Sequence, residues 1–165
     1  MTDLPPIPRR SCVQAILLAM AAPAWAQPQK LAEIALAASD GLPVLADANK
    51  VRATYIDFWA SWCTPCKLSF PWMNDVHEQL APRGLRIVAI GLDKKEADAR
   101  KFLAAHPARF PVALDPAAET AKLLAIQAMP TSLVIGADRS VQLVHRGFRL
   151  EDREALEAKL RAAVA

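Results

Sequence analysis

The chain has 165 residues, 53% hydrophobic and 22% charged, with a formal net charge of +3. That length suits one domain of ordinary size with a core of its own. Five glycines, a small charge excess and the lack of any low-complexity tract argue against a collagenous repeat, a disordered charged tail, and a nucleic-acid binder that works by neutralising phosphates.

The first 26 residues read as an address. Arg9 and Arg10 precede an apolar run over 12–22 that is interrupted by Gln14, and Pro23 then leads into Ala24-Trp25-Ala26, with a small residue on each side of a spacer. This is the pattern of a signal peptide cut after Ala26. The run is shorter than the roughly 20 apolar residues of a spanning helix, so a permanent anchor is the weaker reading. If the segment stayed uncut, it would be the one membrane contact expected. The paired arginines permit twin-arginine export, although Ser11-Cys12-Val13 fits that motif poorly. Residues 27–165 then form the single expected domain. Cys12 leaves with the signal, and Cys63 and Cys66 remain as a pair in a compartment where disulfides persist.

Along that domain, 27–50 carries weak periodicity around the turn signal Asp40-Gly41-Leu42-Pro43 and reads as a short hairpin. Residues 52–59 are rich in aromatic and β-branched side chains, as in a buried strand. From about 64 to 80, Leu68, Trp72, Met73, Val76 and Leu80 recur at helical spacing, with Pro71 as an internal kink. A near-continuous apolar run at 85–92 suits a strand covered on both faces. A helix over 96–106, a short strand over 111–114 and a helix over 117–126 follow. Strands at 131–135 and 141–145, joined by a four-residue turn, lead to an amphipathic helix over 151–164. The order is a βαβ half followed by a ββα half, hence an α/β fold with a mixed sheet and helices on both faces.

Cys63-Thr64-Pro65-Cys66 falls where the strand gives way to the helix. Free amides of the first turn and the positive end of the helix dipole then face the Cys63 sulfur and stabilise its thiolate. A thiol of pKa near 8.5 is about 3% ionised at pH 7, and one near 7 is about half ionised. The accompanying loss of nucleophilicity leaves a net gain of about threefold in attack rate. A structural disulfide closing so short a loop would contribute only about 2 kcal/mol. Half a zinc site would need two further ligands, and the domain has only isolated histidines, His77, His106 and His145. Redox use of the pair is therefore the expectation.

Asp57-Phe-Trp-Ala-Ser-Trp-Cys-Thr-Pro-Cys-Lys67 resembles the active-site strand and helix of thioredoxin-like proteins, and Met129-Pro130-Thr131-Ser132-Leu133-Val134-Ile135 resembles their cis-proline loop. The export signal, Phe70-Pro71-Trp72-Met73 and the extra segment from about 96 to 125 narrow the likeness to TlpA/ResA-like periplasmic thiol-disulfide oxidoreductases. The resemblance implies a thioredoxin-like fold over 27–165, with the hairpin in front and an insert between the two halves. It also implies Cys63 as the exposed attacking cysteine, Cys66 as the resolving one, and a cis peptide before Pro130 that frees the Met129 backbone to pair with an extended substrate. On the residues alone, Pro130 is a strand-start proline. Trp62, Thr64 and Pro65 are the further candidates for substrate contact, with Trp62 either on a flat docking surface or partly packed. Gly147 serves a close approach or a simple turn.

The chain departs from the family where a glutamate commonly follows the second cysteine by three residues, since it has Ser69 there. Its acid sits instead at Asp57, as in thioredoxin. A carboxylate there can take the proton that Cys66 must lose, and burial would raise its pKa toward the working range. The function expected is reduction of protein disulfides in the periplasm with no metal or organic cofactor. An electron-donating membrane thiol transporter would resupply it, in cytochrome c maturation or copper-site assembly. Two alternatives stay open: a disulfide-forming oxidant, and a Cu(I) delivery module using soft thiolates with His145 as a third ligand. A peroxidase of related fold is disfavoured because no Pro-x-x-x-Thr-x-x-Cys pattern leads to Cys63.

Overall fold

A computed structural model describes residues 50–138 and 140–165. The expected signal segment and, but for Lys50, the expected hairpin lie outside the described residues. Five strands form one sheet in the order β3-β2-β1-β4-β5: β1 (Ala53–Trp59), β2 (Leu85–Gly91), β3 (Val112–Leu114), β4 (Thr131–Gly136) and β5 (Val141–Arg146). The helices are α1 (Thr64–Leu80), α2 (Glu96–Ala105), α3 (Glu119–Leu123) and α4 (Arg153–Ala163), with 3-10 turns at Ala81–Arg83 and Leu150–Asp152. Pairs β1/β2 and β2/β3 are parallel and β1/β4 and β4/β5 antiparallel, so the sheet is mixed as expected.

Every residue of β1 is buried, because the strand is central and both its faces are covered. Tyr55 and Trp59 point to the side packed by Phe70 and Met73 of α1, Phe102 of α2 and Leu156 and Leu160 of α4. Ile56 and Phe58 point to the other, thinner side, with Val88, Ile90, Leu133, Ile135 and Ala121 of α3. Under the first layer, Trp59 meets Phe70 and Phe102 with ring centroids 5.1 and 4.7 Å apart. Gly91 makes room for it: a Cβ there would lie 3.0 Å from the Trp59 ring and 2.9 Å from Leu114.

Two elements differ from the periodicity reading. Leu68 is 46% exposed and Phe70 is fully buried, because the inward stripe of α1 runs through Cys66, Ser69, Phe70, Met73, Val76 and Leu80. Leu68 lies two residues, about 200°, around from Cys66. The helix expected over 117–126 shortens to α3. Ala118 and Ala125 adopt positive φ of 54° and 51° at its two ends, and the Ala118 amide closes a turn on the Asp115 carbonyl. The Asp115 carboxylate gathers the amides of Glu119 and Thr120 at 3.0 and 2.9 Å, so the helix starts where that anion caps it.

Candidate active site

β1 ends at Trp59, and a single turn over 60–63 delivers Cys63 to the N-cap of α1. Its amide bonds the Ala60 carbonyl at 3.0 Å. Pro65 occupies the first turn, where a missing amide is no loss, and no acidic residue stands there to oppose a thiolate. Cys63 and Cys66 are joined as a disulfide. Cys63 keeps 3% of its surface and Cys66 none. The sulfur expected to attack is thus nearly covered rather than openly exposed. It remains the one of the two with any access.

Trp62 is 68% exposed, which excludes the packed alternative for that side chain, and Thr64 is exposed beside it. Pro65 and Met129 are half-buried and Pro130 is buried. The Met129–Pro130 peptide is cis. Pro130 enters β4 one residue before Thr131, whose partner is Phe58, so the cis bond lies at the end of the sheet that leads into the cysteine loop. Gly147 donates to the Pro130 carbonyl at 2.8 Å. Its φ of +80° and the open space around its absent Cβ make it a turn glycine, not a point of close approach.

Beneath the helix, Asp57 is fully buried on the same strand face as Tyr55 and Trp59, which cluster with Cys66. Its Oδ1 accepts a 2.7 Å hydrogen bond from Ser132 Oγ, which in turn accepts a 2.7 Å bond from the Tyr55 hydroxyl. Asp57 Oδ2 has no partner. Burial pushes the carboxyl up to about 7, against the opposing pull of the Ser132 bond. Burial and then the Asp57 charge likewise hold the Tyr55 phenol well above its ordinary range, so it stays a donor.

A second carboxylate steadies the loop from outside. Asp93, just past β2, accepts from the Ser61 amide at 2.8 Å and from the Ser61 hydroxyl at 2.6 Å. Asp93→Ala is expected to lower stability by about 2 kcal/mol, since two charge-assisted bonds at a covered site are lost; urea unfolding of the oxidised protein checks it.

Sequence reasoning did not single out Asp93, Ser132 as a side chain, or Tyr55. The usable signal was polarity at buried positions: Ser132 interrupts an apolar strand, and Asp93 follows an apolar run. Lys67 is exposed, as expected. His77 sits edge-on to Phe110 and His106 lies against Phe102, while His145 is cross-strand from Ser132 and 3.7 Å from Asp152. Burial lowers the pKa of His77 and of His145, the Asp152 carboxylate opposing it at His145. Among the described residues no group of three or more His, Cys, Asp or Glu side chains is arranged to hold a metal.

The Redoxin family profile matches residues 20–160. The chain belongs to the Redoxin family. It is 30% identical to the thiol-disulfide oxidoreductase ResA of Bacillus thuringiensis subsp. konkukian (strain 97-27) over 68% of this chain and 64% of that protein, so it spans just under two thirds of that relative's length. Among solved structures, it is 47% identical to a putative thiol:disulfide interchange protein DsbE from Chlorobium tepidum, with a TM-score of 0.70 over 73% of this chain and 85% of that one. StoA from Bacillus subtilis follows at 26% identity and a TM-score of 0.58, covering 67% of this chain and 83% of the other. This Redoxin-family chain therefore has the thioredoxin-like fold that its motifs implied, and its likeness to ResA-type proteins is borne out.

Proposed function

We propose that the chain is a thiol-disulfide oxidoreductase that reduces protein disulfides. The observation that carries this reading is a bonded cysteine pair at the N-terminus of α1 with a buried carboxylate, Asp57, beneath it. In the reduced protein, Cys63 thiolate attacks one sulfur of a substrate disulfide, and the second substrate sulfur leaves with the electron pair. Cys66 passes its proton to Asp57 and attacks Cys63 Sγ. The Cys63–Cys66 bond forms, the bond from Cys63 to substrate breaks, and the substrate departs as a dithiol with two electrons gained. Trp62, Thr64, Pro65 and the backbone at Met129 and Pro130 form the surface that receives the substrate segment.

The reductant direction is supported by the Thr64-Pro65 pair, which lacks the histidine of the oxidising DsbA-type dipeptide, and by the thioredoxin-like placement of Asp57. The reading includes an export signal over 1–26, a domain over 27–165, and work in the periplasm. Resupply of electrons then comes from a membrane thiol transporter, with cytochrome c maturation or copper-site assembly as the pathway served. No helix among the described residues is long and apolar enough to cross a membrane. Equilibration of the pair with glutathione tests the direction. A potential near −270 mV is expected for a reductant, whereas one near −120 mV would make the protein an oxidant.

A further inference from the structure

Resting on the reading that Asp57 takes the proton of Cys66, we propose that Tyr55 and Ser132 are positioning residues that fix Asp57 Oδ1 as a permanent acceptor and leave Oδ2 as the atom that exchanges the proton. The argument is one of hydrogen count. Tyr55, Ser132 and Asp57 are all at least 97% buried, and they form a chain in which each hydroxyl has one hydrogen to give. Tyr55 gives its hydrogen to Ser132, and Ser132 gives its own to Oδ1. Were Asp57 protonated on Oδ1, Ser132 would lose that oxygen as the acceptor of its hydrogen, and either the serine or the phenol hydrogen would be left without a partner in a dry site while Oδ2 stayed unpaired as well. Protonation on Oδ2 leaves the chain intact, and Oδ2 is the buried oxygen without a partner.

The register explains why Ser132 can do this. Asp57 and Ser132 are directly opposite in the β1/β4 pair, so their side chains stand on one face. The groups facing Asp57 are few. Tyr55 comes from β1, Ala89 and Ser132 are the cross-strand neighbours on β2 and β4, and the helix covering this sheet face, α1, brings Cys66 into the cluster that holds Tyr55 and Trp59. Beyond Ser132 on β5 stands His145, which is surrounded by Asp152, Arg149 and Lys159. No ion pair to Asp57 forms among the described residues, so the serine hydroxyl is the main force holding the carboxylate in its ionised form.

The test uses the full chain with labelled aspartate carboxyls, the Asp57 resonance being assigned by its loss in Asp57→Asn. Ser132→Ala is expected to raise the Asp57 midpoint by about one pH unit, which at pH 7 cuts the ionised fraction from about half to about a tenth. The pH profile for resolving a mixed disulfide should move to higher pH by the same interval. Ser132→Thr, which keeps the hydroxyl, should leave both in place. Tyr55→Phe keeps the ring against Trp72 and should raise the midpoint less, so it carries the test if Ser132→Ala does not fold. An unchanged midpoint in Ser132→Ala, or in Tyr55→Phe where it stands in, overturns the proposal. A midpoint that moves while the resolution profile stays fixed overturns instead the assignment of Asp57 as the proton acceptor.

Discussion

Cys66→Ser is expected to stop turnover by at least about a thousandfold while leaving the first attack intact, because the nucleophile survives and only the group that releases the substrate is gone. The substrate should accumulate as a mixed disulfide on Cys63, visible as a mass adduct that added dithiothreitol removes. Cys63→Ser should lose turnover to the same extent with no adduct. Both expectations follow from burial: Cys63 is the residue with residual access, and Cys66, in the first turn of α1, is fully buried. An adduct on Cys66 in the Cys63→Ser protein, at the rate seen for Cys63, would reverse the roles.

The second large effect concerns Asp57. Asp57→Asn is expected to slow resolution by about a hundredfold and the initial attack by far less, the usual loss when a positioned proton acceptor is removed. Equal slowing of both steps, or of neither, would remove Asp57 from the chemistry. The same carboxyl carries a stability signature. Its pKa is raised from the ordinary carboxylate range to about 7 by burial. Between about pH 4 and 7 the folded protein therefore holds a proton that the unfolded chain has lost, and stability falls as pH rises through that window. The fall is about 4 kcal/mol for a shift of this size. Asp57→Asn has no such proton to lose, so its stability relative to the parent should improve by about that amount between pH 4 and pH 9. Urea unfolding of the two oxidised proteins at both pH values measures the difference.

What was legible in advance is what short-range patterns encode. β1, α1 and β2 announce themselves through run length, β-branched content and spacing, and each ends within a few residues of its expected boundary. Cys63, Cys66 and Asp57 lie within ten residues of one another in the chain, so one strand-to-helix junction contains all three. Ser132 is 75 residues from Asp57, and their meeting depends on the register of an antiparallel pair that no local pattern specifies. Asp93 escaped for the same reason, being brought to Ser61 by the parallel β1/β2 pair. The α3 ends were missed because alanines at positive φ contradict their own propensity and obey the surrounding turn instead.

The cysteine loop is tethered from behind, through Ser61, rather than by the two residues between the sulfurs. Thr64 and Pro65 carry none of that anchorage, and Thr64 faces the solvent. The dipeptide is thus a replaceable cassette on a fixed mount. Grafting other pairs into positions 64 and 65 should let the electron affinity of this disulfide be dialled up or down while the scaffold around it keeps its shape.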